Sequence, residues 1–307
     1  MSNFYVGVDV GGTTVKIGIF SHVGELLEKW EIPTRTENDG EFILPDIVNS
    51  IEAKREERGG NILGIGMGIP GPMTEDGVVL KCTNFGWGVF NVRNTMADMT
   101  GVGKVKVGND ANVAALGEVW KGGGRGHDSI VMVTLGTGVG GGIIQNGKVM
   151  TGSQGAAGEI GHIKVEFNNP AQCGCGCKGC LETYASATGI VRMAKENLPD
   201  KSKLADLEEI TAKEVFDQAK AGDQYAMSVV DRFARYLGIA LSNIAHVVDP
   251  EAFVIGGGVS AAGPIITDLV SKYYNEYAMY ALKDKEFHLA ELGNDAGIYG
   301  AVRMVLF

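Results

Sequence analysis

Apolar residues gather in short runs along this chain, and most of the runs stop at glycine. Residues 4–20, FYVGVDVGGTTVKIGIF, read as a β-branched strand, a Gly-Gly turn and a second strand, so a hairpin with a tight tip is predicted. Residues 130–149, IVMVTLGTGVGGGIIQNGKV, repeat that grammar, with Asn146-Gly147 marking one further hairpin turn. Between the two hairpins the period changes. In residues 41–58, Ile47, Val48 and Ile51 share a helical face, and basic residues precede Gly59-Gly60, as the helix dipole and C-cap preferences favour. ILGIGMGIPGP then reads as a buried strand stopped by a turn, residues 93–100 as a short helix closed by Gly101, and KVKVGND as a strand entering the helical ANVAALGEVW.

The second half continues the alternation. Thr211 and Glu214 form a capping box, residues 224–248 make a long amphipathic helix ending before Asp249-Pro250, and AFVIGGGVS is a strand running into glycines. Pro264 suits a first helical turn, EFHLAEL makes a last strand, and AGIYGAVRMVLF closes the chain as an apolar helix. Strands alternating with helices predict an α/β fold. The glycine-rich KGGGRGH, residues 121–127, is the domain boundary that composition favours, read as a solvated hinge.

Composition narrows the partners. A net charge of −10 over 307 residues repels a phosphate backbone or an anionic membrane on average, so neither nucleic acid nor membrane is expected as a partner. The longest apolar stretch, IVMVTLGTGVGGGII, is shorter than the roughly 18 residues of a membrane span, and the first residues carry no signal-peptide pattern. A cytoplasmic protein is expected. In that compartment thiols stay reduced, so the five cysteines do not suggest a disulfide framework.

Glycine loops let backbone N–H groups converge on an anion, and three such loops occur: DVGGTT (9–14), TLGTGVGGG (134–142) and VIGGGVS (254–260). Gly136, Gly138 and Gly141 match the G-x-G-x-x-G spacing of a dinucleotide site, but the loop leads into a strand instead of opening a helix. No Walker sequence is present. Taken singly, each loop is more often a tight turn than a ligand site; two strand-Gly-Gly-strand hairpins and a third glycine strand end in one chain are much less ordinary. Asp9 adds a carboxylate able to hold a metal through water. A second concentration of chemistry lies at residues 158–182, GEIGHIKVEFNNPAQCGCGCKGCLE, where four of the five cysteines fall within eight positions.

These residues resemble a known family. DVGGTT, LGTGVGGG and VIGGGVS resemble the two phosphate loops and the adenosine loop of the actin-like ATPase superfamily, and GEIGH with CGCGCKGCLE resembles the cysteine signature of its ROK branch (repressors, open reading frames, sugar kinases). Within that branch GIPGP, NFGW, GNDANVAALGE and CLETYASATGI are similar to bacterial ATP-dependent glucokinases. The resemblance implies two actin-like (ribonuclease H-like) α/β domains, with mixed sheets flanked by helices and a cleft between them. The smaller would span residues 1–120 plus 294–307, and the larger, residues 121–293, would carry the cysteine motif and the adenosine loop. ATP with Mg2+ would phosphorylate a hexose at its 6-hydroxyl, in a homodimer or homotetramer.

Residue by residue, the resemblance assigns ATP to Asp9, Gly11, Gly12, Thr13, Thr14, Lys16, Gly136, Thr137, Gly138, Gly256, Gly257 and Gly258. It assigns the sugar to Asn84, Asn109, Asp110, Glu159, His162 and Glu182, with Asp110 as catalytic base. Read without it, Asp110 would cap the helix that follows, and Trp87 and Cys82 belong to the core. Aligned on its terminal GCLE, the signature gives a structural Zn2+ to His162, Cys173, Cys175 and Cys180; four thiolates including Cys177 are the alternative, which would free His162. Glucose is the expected sugar. N-acetylmannosamine, N-acetylglucosamine, fructose and allose, or a polyphosphate donor, are the rivals, while a repressor would need a helix-turn-helix segment ahead of the first strand.

Overall fold

The structure, a computed structural model, describes residues 3–82 and 84–307. The chain divides into two compact units, residues 1–126 with 142–158 and 292–307, and residues 127–141 with 159–291. The segment 142–158, expected from the sequence in the larger domain, groups with the first unit.

The first unit is built on β1 (Phe4–Val10), β2 (Thr14–Ser21), β3 (Leu26–Pro33), helix α1 (Ile43–Arg58), β4 (Ile62–Ile69), α2 (Val92–Thr100), β5 (Val105–Asn109) and α3 (Asp110–Lys121). Its sheet has the order β3-β2-β1-β4-β5. β1 and β2 form the predicted antiparallel hairpin, pairing Asp9 with Lys16, whereas β1, β4 and β5 run parallel. This mixed sheet therefore ends three parallel strands along one edge. Val6, Val8, Ile17, Ile65 and Met67 are sealed in the core against Ile43, Ile47 and Ile51 of α1.

The closing helix α8 (Ala296–Leu306) lies in this same unit because glycines admit it. A Cβ on Gly66 of β4 would stand 1.8 Å from Ala301 O, and one on Gly300 would stand 1.7 Å from Val113 O of α3. Side chains there would force α8 away from β4 and from α3, the helix that begins at Asp110. Residues 121–127 differ from a solvated hinge: fully buried Glu118 accepts from Gly123 N (2.8 Å) and Leu292 N (3.0 Å), which clamps the boundary segment. The later part of β7 (Val139–Gln145) also belongs here, where β8 (Lys148–Val149) pairs with it after the Asn146-Gly147 turn.

The second unit holds β6 (Ile130–Leu135), the start of β7, α4 (Ala187–Lys195), α5 (Ala212–Lys220), α6 (Gln224–Val248), β9 (Ala252–Gly256), α7 (Pro264–Tyr277) and β10 (Glu286–Leu289). β6, β9 and β10 are parallel neighbours, with Ala252 opposite both Ile130 and Glu286. The capping box at Thr211 and Glu214 opens α5 as predicted. The inner face of α6 buries Val230, Phe233, Leu237 and Leu241, and Phe216 of α5 meets Phe233 edge to face. Among the described residues, no helix is long and apolar enough to cross a membrane.

Candidate active site

In each unit the candidate residues collect at the carboxyl ends of parallel strands, where open α/β sheets place their ligands. In the first unit three strand ends converge. β1 delivers Asp9 and the 11–13 tip, β4 leads to Gly71, and β5 delivers Asn109 directly into Asp110, the first residue of α3.

The tip is a narrow, pinned loop. Gly11 N donates to Thr14 O (3.0 Å), Thr34 N donates to Thr13 O (2.9 Å), and Thr34 Oγ1 donates to Gly11 O (2.7 Å). Gly12 and Thr13 are exposed at this tip. Asp9 lies behind them, and burial pushes its carboxyl up to about 6, with Lys16 opposing the shift and Asp110 adding to it. Gly297 makes room for it: a Cβ there would stand 2.4 Å from Asp9 Cγ. Lys16 Nζ donates to Asn294 O at 3.1 Å.

Asn109, not Asp110, is the N-cap of α3: its Oδ1 accepts from Asn112 N at 3.2 Å. Its Nδ2 donates to Gly71 O (3.2 Å) and to Asp110 Oδ1 (3.0 Å), and Ala111 N donates to the same Oδ1 at 2.9 Å. Asn109 thus fills the cap position, and the Asp110 carboxyl sits at the positive end of the helix dipole. Burial nevertheless raises its pKa, against those hydrogen bonds. Asn84 is exposed in the turn after buried Cys82, and Trp87 packs edge to face with Phe85 and Phe90 in the core.

In the second unit the 136–138 loop follows β6, and Gly256–Gly258 follows β9, its neighbour. Gly257 (φ +84°) presses on the end of β6, where a Cβ would stand 2.4 Å from Leu135 O. At Gly136 and Gly258 a Cβ would meet nothing within 4 Å, so bare backbone faces open space. The 136–138 loop is held from outside: Ala187 N donates to Gly136 O (2.8 Å), Thr188 Oγ1 donates to Thr137 O (2.8 Å), and Glu182 Oε2 accepts from Val139 N (3.2 Å).

Glu182 also leads to the cysteines, since Cys173 Sγ lies 3.7 Å from its Oε1. One ligand atom from each of His162, Cys173, Cys175 and Cys180 falls within 4.8 Å of the others. His162 Nδ1 is 3.7 Å from Cys173 Sγ, and Cys175 Sγ is 3.7 Å from Cys180 Sγ. Sulfurs around a tetrahedral zinc at about 2.3 Å stand ~3.8 Å apart, so the donor set and its spacing fit that ion. Backbone N–H of Cys177 is the main cause that lowers Cys175 to about 6, towards the thiolate a metal needs. Exposed Cys177 is outside the cluster; its carbonyl accepts from Cys173 N at 2.8 Å, shaping the turn. The ring of His162 turns Nε2 towards Glu159, 3.9 Å from its Oε2.

Of the sugar candidates, Asn84, Asn109 and Asp110 belong to the first unit, and Glu159, His162 and Glu182 to the second. Sequence reasoning missed the supports: Thr34, Ala187, Thr188, Gly297, and Lys164, whose Nζ reaches Cys180 Sγ at 2.8 Å. Ala187 and Thr188 carried a signal, in the ATGI motif after the cysteines.

Comparison with known proteins agrees with this geometry. The ROK family model matches residues 5–306. The chain is 45% identical to the glucokinase of Halalkalibacterium halodurans, over 97% of this chain and 93% of that protein. It superposes with a TM-score of 0.77 on the ROK family glucokinase of Streptomyces griseus in complex with glucose and AMPPNP, at 32% identity, covering 98% of this chain and 99% of the other. A ROK family transcriptional regulator, a homologue of the Escherichia coli MLC protein, superposes at 0.86 with 25% identity, covering all of this chain but 79% of the regulator. With strand ends, glycine loops and cysteine cluster arranged in this way and the family model matched across nearly its whole length, the chain belongs to the ROK family.

Proposed function

We propose that this chain is a glucokinase, transferring the γ-phosphoryl group of ATP to the 6-hydroxyl of glucose. The observation that carries the reading is the fixation of Asp110: Asn109 Nδ2 and Ala111 N both donate to its Oδ1, which turns Oδ2 to a sugar hydroxyl. The 45% identity to a glucokinase and the glucose complex of the S. griseus enzyme support glucose as that sugar.

In this mechanism the backbone N–H groups of the 11–14 and 136–138 loops hold the phosphates, while Gly256–Gly258 leave a flat surface for the adenosine. Sugar oxygen O6 attacks the γ-phosphorus in line, the bond from that phosphorus to the bridging oxygen breaks, and ADP leaves. Asp110 accepts the O6 proton late, as suits a loose transition state. Asp9 and the Thr13 and Thr14 hydroxyls would hold Mg2+, which supplies positive charge to the phosphates. A desolvated carboxyl such as Asp9 gains most from a cation. His162, Cys173, Cys175 and Cys180 would hold Zn2+, whose contribution is to fix the loop. His162 then keeps Nε2 for a sugar hydroxyl, with Glu159, Glu182, Asn84 and Asn109 as further partners.

We take the two compact units as the two actin-like domains, the assembly as a homodimer or homotetramer, and the compartment as the cytoplasm. Initial rates of ADP release across glucose, N-acetylglucosamine, N-acetylmannosamine, fructose and allose test the function. The highest kcat/KM is expected with glucose; a higher value with an N-acetylated sugar, or ADP release without sugar, refutes the assignment.

A further inference from the structure

The structure assigns a second metal site to His127, Glu286 and His288, a site for one divalent transition ion on the second unit's sheet, outside the nucleotide loops and the cysteine cluster. One ligand atom from each lies within 4.8 Å of the other two. Glu286 Oε2 is central, 2.9 Å from His288 Nε2 and 3.5 Å from His127 Nε2. Donors about 2.05 Å from one ion stand ~2.9 Å apart at a right angle and ~3.4 Å apart at the tetrahedral angle, so both separations suit a shared ion with little movement.

The fold supports this convergence. Glu286 and His288 are two apart in β10 and share a face, while His127 enters from the residues before β6. β9 runs between them, with Ala252 opposite Glu286 on one side and Ile130 on the other. His127 is fixed by its neighbours: Glu251 Oε2 accepts from Asp128 N (2.7 Å) and Ser129 N (3.0 Å). The ring itself is mostly buried, with Nδ1 sealed off and without a partner among the described residues, so its polar bonding is confined to the Nε2 edge that faces Glu286. The imidazoles tilt towards each other with centroids 5.4 Å apart. Glu286 is 61% exposed and His288 35%, which gives an ion a path from solvent.

Two imidazoles and one carboxylate favour Zn2+, Ni2+ or Cu2+ over Mg2+, and three protein ligands leave a position for water. A bound ion would tie the edge strand β10 to the start of β6 across β9, the strand that carries Gly256–Gly258.

The test is calorimetric titration of Ni2+ into untagged full-length protein that carries a single equivalent of zinc, held at the cysteine cluster. One Ni2+ per chain is expected, with no thiolate charge-transfer absorption and a rise in thermal midpoint. Affinity falls at least roughly tenfold in His127→Ala, His288→Ala and exposed Glu286→Gln, as loss of a ligand should produce. A wild-type chain that takes up no Ni2+, or takes it up only with thiolate absorption, overturns the assignment and leaves an ordinary His–Glu–His ion-pair cluster. Equal affinity in the three variants overturns it as well.

Discussion

The two glycine hairpins follow the same grammar, strand, bare turn, strand, yet they are braced differently. The 11–13 tip is held by its own sheet, through Thr34 just after β3. The 136–138 loop is held by Glu182, Ala187 and Thr188, which come directly after the cysteine cluster in the chain. A repeated sequence pattern thus fixes the shape of the proposed anion cradle but not its stiffening. One cradle carries its support within the sheet, and the other depends on a loop that a metal would tie.

The largest expected effect concerns the first unit, which carries Asp110, the proposed proton acceptor. Asp110→Asn should lower kcat by roughly 10² or more while glucose affinity and metal content persist, measured by initial rates and titration calorimetry. Next is pH. Asp9 titrates near 6 in the folded chain against an ordinary 3.8, and Asp110 shifts the same way. The folded state therefore holds these protons more tightly than the unfolded one. The Asp9 contribution to stability is complete below about pH 4 and is lost as pH rises through about 6, and the Asp110 contribution changes with pH in the same direction. Activity needs the ionised forms, so kcat/KM should fall as pH drops below 6 while the Asp9 and Asp110 contributions to stability rise. Asp9→Asn should flatten the stability trend in that window, read from thermal midpoints.

Smaller effects separate the two braces. Glu182→Ala removes the acceptor for Val139 N and should raise KM for ATP, with a loss of about 1–3 kcal/mol for the unpaired buried N–H. Thr34→Val removes only the bond to Gly11 O, since Thr34 N still reaches Thr13 O, and should cost about 1 kcal/mol of stability. If Thr34→Val instead raises KM for ATP as much as Glu182→Ala, the two loops are braced alike.

The hairpins, the parallel strand ends and the terminal helix are legible in the sequence, because each runs from a β-branched or periodic segment into or out of glycine. β3 is not. It is an edge strand whose inward positions include Glu28, a carboxylate that hides the alternation and is matched by Lys54 (2.5 Å) and Arg58 (3.1 Å) from α1. The misreading of residues 121–127 has the same root: a glycine-rich stretch looks solvated until a buried carboxylate, Glu118, accepts from Gly123 N and its backbone carbonyl accepts from Gly122 N and Gly124 N. At the site, the residue types are legible from motif spacing. The division of labour between Asn109 as cap and Asp110 as carboxylate is not, because either side chain can cap a helix and only the hydrogen bonds decide.

The dependence of the second cradle on the cysteine cluster is tested most directly by amide hydrogen exchange on the zinc-loaded chain and on Cys175→Ala. Removing the metal should speed exchange at residues 136–139 and 182–188 and leave residues 11–14 unchanged. Equal protection of residues 136–139 in both proteins, or equal loss in the 11–14 loop, would contradict the account.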